Sequence, residues 1–354
     1  MTAKIRTLIV DDSVFYRGIL TDLLNKTGGV ELLGSAANGE HALAKIKQYQ
    51  PDLVTLDVEM PGMDGVSVLR EIRRLFPQML VVMISSATKS SAKVTIEALE
   101  EGALDFIEKP DAGNPDENER LLYRQLRRII SIVETKILLK SARNPQAAVT
   151  LPSRSPAVSE LHKIDILAIG VSTGGPGALP RVLEKLPVNL GIPVIIVQHM
   201  PAMFVSVLVE TLGRKSPLPV VEARSNMALE AGKVYLAPGG KQAKVVRAPV
   251  SGESVILLTD DPPENFCRPS VDYMFRSLAF VYGASVLAVI MTGMGRDGVS
   301  GMELLKAAGA SCFAQDRESS VVFGMAMEAC KAGVVDEVLP LAELGEAIMR
   351  RIRV

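Results

Sequence analysis

The chain has 354 residues, 48% of them hydrophobic and 22% charged, with Lys+Arg at 39 against Asp+Glu at 40. That length suits two domains of ~150 residues each, and a formal net charge of −1 argues against a general nucleic-acid coat. Its 3 cysteines, Cys267, Cys312 and Cys330, have no C-x-x-C spacing, which argues against a disulfide framework or a zinc ribbon; they read as small core residues.

The start, MTAKIRTLIVDDS, offers only a short apolar run before two carboxylates, too little for a signal peptide. The longest apolar runs, near 192–197 and 285–291, fall far short of the ~18 residues of a spanning helix and read as buried strands. The expected location is the cytoplasm, with no membrane insertion and no nucleic-acid partner.

Apolar runs at 6–10, 30–36, 52–57, 79–84 and 104–107 alternate with helical segments near 14–26, 40–48, 65–75, 90–101 and 117–140. Short apolar runs between helices predict a parallel sheet covered on both faces, here a flavodoxin-like (βα)5 domain with its ligands at the carboxyl ends of the strands. In the last helix Leu122, Leu126, Ile129, Val133 and Ile137 give the amphipathic spacing. Residues 141–163, SARNPQAAVTLPSRSPAVSELHK, carry three prolines and no apolar period and read as a linker.

Beyond it, strand runs at 164–171, 193–198, 220–221, 233–236, 254–259 and 285–291 alternate with helical segments near 177–186, 202–213, 271–281, 299–308 and 320–331. These predict a second α/β domain with a mainly parallel sheet. A hairpin between 233–236 and 245–259 would make that sheet mixed. The division expected is 4–125, 126–163 for helix and linker, and 164–354.

In the first domain Asp11 and Asp12 follow the first strand, Asp57 ends the third, Ser86 ends the fourth and Lys109 follows the fifth. All five fall at one edge of the sheet. Three carboxylates there repel one another unless a hard cation joins them, and Mg²⁺ takes oxygen ligands while keeping room for a phosphoryl group. A carboxylate so placed can attack phosphorus and form an acyl phosphate. Ser86 and Lys109 would each meet a phosphoryl oxygen. Any one of these residues alone reads as a helix cap or a surface group; the combination is the signal.

With Asp11-Asp12, Asp57 in LDVEMPGMDG, Ser86 in SSAT and Lys109-Pro110, residues 4–125 resemble the receiver domains of two-component response regulators. The resemblance implies phosphorylation of Asp57 by a histidine kinase. It implies Mg²⁺ held by Asp12, Asp57 and the Glu59 carbonyl with Asp11 assisting, a cis Lys109–Pro110 bond, and Phe106 as the aromatic switch residue.

In the second domain the run IDILAIGV leads into Ser172 and TGGPGALPRVLEKL, a sharp strand-to-helix turn whose amides would face a negative oxygen. GVSTGG lacks the lysine of a phosphate-binding loop. GVSTG matches the G-x-S-x-G nucleophile turn, and a plain capped glycine turn also fits. Of the 3 histidines, His41 lies on a first-domain helix and His162 in the linker, whereas His199 follows PVIIVQ one β-α-β unit after Ser172. A right-handed crossover would set those two strands side by side. Asp297, after SVLAVIMTGMGR, reads either as a turn residue or as the orienter of His199. The order Ser…His…Asp, with no histidine after Asp297, is not that of α/β-hydrolases.

IGVSTGGP at 169–176, IVQHMP at 196–201, MTGMGRDG at 291–298 and AQDRESSVVFGMA at 314–326 resemble the catalytic domain of bacterial chemotaxis protein-glutamate methylesterases. The resemblance implies Ser172 as nucleophile, His199 as base then acid, Asp297 as orienter, and Thr173 with the Met294 amide at the oxyanion. It implies an esterase domain without a cofactor, acting on glutamate methyl esters and glutamines of the cytoplasmic helices of methyl-accepting chemoreceptors, with a receiver that covers the esterase mouth until phosphorylated. Three rival readings remain: a DNA-binding regulator, which would need a compact basic reading helix; a small-ester hydrolase; and a silent adaptor.

Overall fold

The computed structural model describes residues 4–111, 113–141 and 162–353, with side chains at 139–141 left aside. The chain divides into two compact units, 1–145 and 146–354. Most of the segment that reads as a linker lies outside the described residues.

The first unit alternates β1 (Ile5–Val10), α1 (Val14–Thr27), β2 (Val30–Ala36), α2 (Gly39–Tyr49), β3 (Leu53–Asp57), α3 (Gly65–Leu75), β4 (Leu80–Ser85), α4 (Lys89–Glu100), β5 (Asp105–Glu108) and α5 (Pro115–Ser141). The sheet order is β2-β1-β3-β4-β5, every pair parallel. All five residues of β3 are buried, because helices cover both faces and a central strand then has no polar side. Each of the first four helix entries carries its own cap. Ser13, Asn38, Asp64 and Thr88 accept from the amides of Tyr16, His41, Ser67 and Ser91, satisfying donors that the first helical turn leaves free. The expected cis Lys109–Pro110 bond is not found; among the described residues the cis peptide is Arg268–Pro269. The trans form is the lower in energy for most X–Pro bonds, and with it Lys109 already reaches two carboxylates.

The second unit runs β6 (Ile166–Val171), α6 (Gly175–Leu183), β7 (Val194–Gln198), α7 (Ala202–Lys215), β8 (Val220–Glu222), β9 (Met227–Ala228), β10 (Val234–Leu236), β11 (Gln242–Arg247), β12 (Ser254–Thr259), α8 (Val271–Tyr282), β13 (Val286–Ile290), α9 (Val299–Ala307), β14 (Ser311–Gln315), α10 (Met325–Lys331), β15 (Glu337–Leu339) and α11 (Leu341–Ile352). Seven strands form one sheet in the order β15-β14-β13-β6-β7-β10-β8, parallel throughout. The hairpin pairs β11 with β12 rather than 233–236 with 245–259, and with β9 it forms a separate antiparallel sheet. The main sheet is therefore not mixed: β10 is buried between β7 and β8, leaving the hairpin to pack on α8. Residues 320–324, expected as helix, are loop; the Val322 backbone bonds Gly293 and Thr292 instead.

The chain builds β7, β10 and β8 on one side of β6, then returns to lay β13, β14 and β15 on the other. The strand ends around β6 thus form the switch point where open α/β sheets leave a crevice. Gly170 is required there: a Cβ on it would lie 2.4 Å from Val271 Cγ1, so the start of α8 rests directly on the backbone of β6. Gly170→Ala should lower the melting temperature of the second unit by several degrees, corresponding to about 2 kcal/mol of overpacking. Trimming the clashing methyls in Gly170→Ala/Val271→Ala should cost less than the sum of the single changes; additive losses in calorimetry would contradict this packing account.

Candidate active site and receiver pocket

At the switch point three neighbouring strand ends carry the predicted residues. Ser172 follows β6, His199 follows β7 and Asp297 lies in the loop after β13. Val171 pairs with Gln198 across β6 and β7, and His199 N donates to Val171 O at 3.1 Å, so Ser172 and His199 leave adjacent strands in step. His199 Nε2 lies 2.7 Å from Asp297 Oδ2. A carboxylate can only accept, so Nε2 carries the proton and Nδ1 is the basic nitrogen. Nδ1 lies 3.6 Å from Cys267 Sγ. Ser172 is buried; among the described residues its Oγ makes no hydrogen bond, and the structure does not join it to His199 directly.

Asp297 is held by more than the histidine. Its Oδ1 accepts from Ser270 Oγ at 2.7 Å, Asn265 Nδ2 at 3.0 Å and Asp272 N at 3.1 Å. Its Oδ2 also accepts from Val271 N at 2.7 Å. Those amides open α8, whose N-terminal dipole favours an anion. Burial would raise the carboxyl pKa, but the His199 bond and charge together with these donors bring it down to about 2. Burial likewise pulls the His199 imidazole down, while the Asp297 bond and the Cys267 sulfur outweigh it and hold it up at about 9.

Gln198 has no counterpart among the residues expected from sequence. It is buried, and its Nε2 donates to Ser172 O at 3.0 Å and His199 O at 3.1 Å, clipping the two turns together. Gly175 stands against it: a Cβ there would lie 1.8 Å from Gln198 Oε1. A polar residue closing an apolar strand run is the available signal. Asn265, Cys267 and Ser270 are likewise absent from the expected site, and they lie in a loop whose sequence carries no periodic signal. Thr173 is buried and its carbonyl accepts from Thr292 Oγ1 at 2.8 Å. The Met294 amide, in the loop that packs against Gly324, makes no hydrogen bond among the described residues.

In the first unit Asp11, Asp12 and Asp57 bring carboxylate oxygens within 4.8 Å of one another. Lys109 Nζ lies 2.8 Å from Asp57 Oδ2, 3.0 Å from Asp11 Oδ2 and 4.4 Å from the centre of the Tyr16 ring. Burial pushes the Asp57 carboxyl up to about 6, with the Asp11 charge adding to it and Lys109 opposing it. One ammonium thus leaves the acidic cluster incompletely neutralised. Asp11 Oδ2 is buried, its partner among the described residues being the Lys109 ammonium. An oxygen-only, excess-negative set of this kind fits a hard divalent cation. The Glu59 side chain is engaged elsewhere, accepting from Ser91 Oγ at 2.5 Å. Ser86 Oγ lies 2.7 Å from Ser91 Oγ, and since the single Ser91 proton goes to Glu59, Ser86 is the donor. Phe106 is buried in β5. Among the described residues no helix is long and apolar enough to cross a membrane.

Residues 167–348 match the CheB methylesterase family and residues 7–115 the response regulator receiver domain family. A protein of Desulfotalea psychrophila named protein-glutamate methylesterase/protein-glutamine glutaminase is 41% identical over 360 residues, covering 99% of both chains. One of the same name from Trichodesmium erythraeum is 40% identical over 352 residues, again covering 99% of both. The crystal structure of the Thermotoga maritima CheB methylesterase catalytic domain aligns with a TM-score of 0.52 at 35% identity, over 53% of this chain and 99% of that one. With a receiver domain ahead of its catalytic domain, the chain belongs to the CheB methylesterase family.

Proposed function

We propose that this chain is a receiver-controlled hydrolase that demethylates glutamate γ-methyl esters, and deamidates glutamines, on the cytoplasmic helices of chemoreceptors, providing sensory adaptation in chemotaxis. The observation that carries this reading is the 2.7 Å His199–Asp297 bond set one strand from Ser172 at the switch point of the sheet. The names of full-length relatives supply the substrate class. Residues 4–125 act as the receiver, 126–163 as helix and linker, and 164–354 as the esterase, in the cytoplasm.

Ser172 Oγ attacks the ester carbonyl while its proton passes to His199 Nδ1. Asp297 holds the opposite ring nitrogen, fixing the tautomer and stabilising the imidazolium. The unpaired Met294 amide, with Thr173, donates to the oxyanion. His199 returns the proton to the departing methanol, leaving a glutamyl ester on Ser172. Water then attacks that ester, His199 takes its proton and gives one to Ser172 Oγ, and glutamate is released. With glutamine the leaving group is ammonia. Apo hydrogen bonds of this kind are commonly loose and tighten with substrate, which accommodates the unjoined Ser172.

In the receiver the Asp57 carboxylate takes a phosphoryl group from a histidine kinase, forming an acyl phosphate. Asp12, Asp57 and the Glu59 carbonyl would hold Mg²⁺ with Asp11 assisting; when bound it neutralises charge on the phosphoryl oxygens. Lys109 and Ser86 meet those oxygens from the protein side, and Phe106 is the residue whose packing follows the change.

Methanol release from methylated receptor membranes tests the reaction. Ser172→Ala should lower the rate by about 10⁴-fold or more; release that survives Ser172→Ala would refute the acyl-enzyme. A small phosphodonor with Mg²⁺ should stimulate the wild type, and Asp57→Ala should abolish the stimulation; a response that persists in that variant would exclude Asp57 as the acceptor.

The pH dependence comes from the two shifted groups. His199 is a base only once deprotonated, so kcat/KM should rise with pH to a midpoint near 9, and Cys267→Ala should move that midpoint down. The folded pKa of His199 lies above its ordinary 6.5, so its stabilising contribution is complete below 6.5 and is lost as pH rises through about 9. That of Asp297 lies below its ordinary 3.8, so its contribution is present above 3.8 and is lost as pH falls through about 2. The stability deficit of Asp297→Asn should therefore be largest between about pH 4 and 6.5 and shrink above about 9; a deficit independent of pH in thermal melts would disprove the linkage.

A further inference from the structure

The loop between β12 and α8 makes a tight two-residue turn beside the candidate triad. Glu264 N donates to Cys267 O at 3.1 Å and Cys267 N to Glu264 O at 2.8 Å. The two residues between them, Asn265 and Phe266, both have left-handed backbone, with φ of 50° and 63°. Turns of this type favour Asn at the first position and Gly at the second, where a side chain strains the backbone. This chain keeps a phenylalanine at the second position, and it is 98% exposed. Neither the turn nor the core calls for the ring, and strain held against local preference is where function is sought.

The turn is anchored on both sides of that ring. Asn265 Nδ2 donates to Asp297 Oδ1 at 3.0 Å and to Asp272 Oδ2 at 2.8 Å. Cys267 Sγ lies 3.6 Å from His199 Nδ1. Phe266 therefore stands between two residues that each touch the His199–Asp297 pair. The acids of this loop are already matched: Asp260 pairs with Lys241, Asp261 accepts from the Tyr273 hydroxyl, and Glu264 pairs with Arg276. Across the Asn265–Asp297 bond, Arg296 is exposed, and its guanidinium has no partner among the described residues.

We propose that Phe266 and Arg296 form the docking edge for the substrate helix, an acidic amphipathic one: the ring packs on its apolar stripe, and the guanidinium pairs with a carboxylate about one turn from the reacting side chain. This rests on the methylesterase reading above. A glutamyl ester that reaches Ser172 from a helix brings its i±3 and i±4 neighbours against the surface around that residue, and Phe266 and Arg296 are chain neighbours of the residues that touch or form the His199–Asp297 pair. Hydrolysis leaves a carboxylate, so a helix with several such sites gains acids as it is processed, which suits an unpaired arginine. The two residues thereby set preference for helical protein esters over free ones.

The test compares phosphorylated full-length protein on methylated receptor membranes and on N-acetylglutamate γ-methyl ester. Phe266→Gly installs the residue the turn prefers, so folding is preserved. The ratio of kcat/KM for receptor to small ester should fall at least about tenfold, mainly through KM on the receptor. Arg296→Ser should lower the ratio about three- to fivefold, with the loss shrinking at high salt as screening takes over. An unchanged ratio, or a parallel fall on both substrates, overturns the docking edge while the methylesterase reading stands. A wild type active on the small ester and inert on receptors defeats both.

Discussion

The catalytic half of this molecule is organised around one buried carboxylate. Asp297 sits at 2% exposure, where an unpaired charge would be prohibitive. It is tolerable because the N-terminus of α8 supplies two amides and the Ser270 hydroxyl, Asn265 supplies an amide hydrogen, and His199 closes the set. Each donor places a further constraint. The amides demand that α8 begin there, and its first residue then lies on Gly170 of β6. The histidine demands that β7 end beside β6. The position of the Ser172 turn is thus tied to satisfying Asp297.

The receiver solves the opposite electrostatic problem at the same topological place. Its carboxylates are also gathered at the carboxyl ends of parallel strands, but they face one another rather than a ring of amides. Burial, with the Asp11 charge adding to it, keeps the Asp57 carboxyl at about 6 although Lys109 opposes both. A surplus of negative oxygen suits a hard cation and a phosphoryl group, whereas the fully satisfied Asp297 suits a permanent orienter. The same strand-end architecture yields a chargeable site in one unit and a fixed one in the other.

Polar clips tie together the turns that carry Ser172, His199 and Asp297. Gln198 ties the Ser172 and His199 turns through one amide nitrogen, while Asn265 ties Asp272 to Asp297. The backbone strain at Asn265 and Phe266 sits where those clips can hold it. A left-handed non-glycine residue costs about 1–2 kcal/mol, and it persists because the hydrogen bonds on either side over-determine the turn.

The alternation of apolar runs and helical segments determined the (βα)5 fold by itself, since each short strand between helices reads as buried. The strand-end residues Asp57, Ser172 and His199 were equally legible, because they sit where periodicity breaks. The pairing of β11 with β12, and the elements β14, β15 and α11, were not legible. Short strands carry little periodic signal, and their partners are chosen by what remains uncovered once the central strands have packed. Residues 320–324 show the same limit: a helical pattern yields to backbone bonds with Thr292 and Gly293, about 30 positions away. Sequence therefore placed the candidate groups at their strand ends. Only the tertiary structure decided which nitrogen of His199 faces Asp297, that Gln198 and Asn265 hold the turns, and that Phe266 projects beside them, because each depends on donors and acceptors brought together from distant strands.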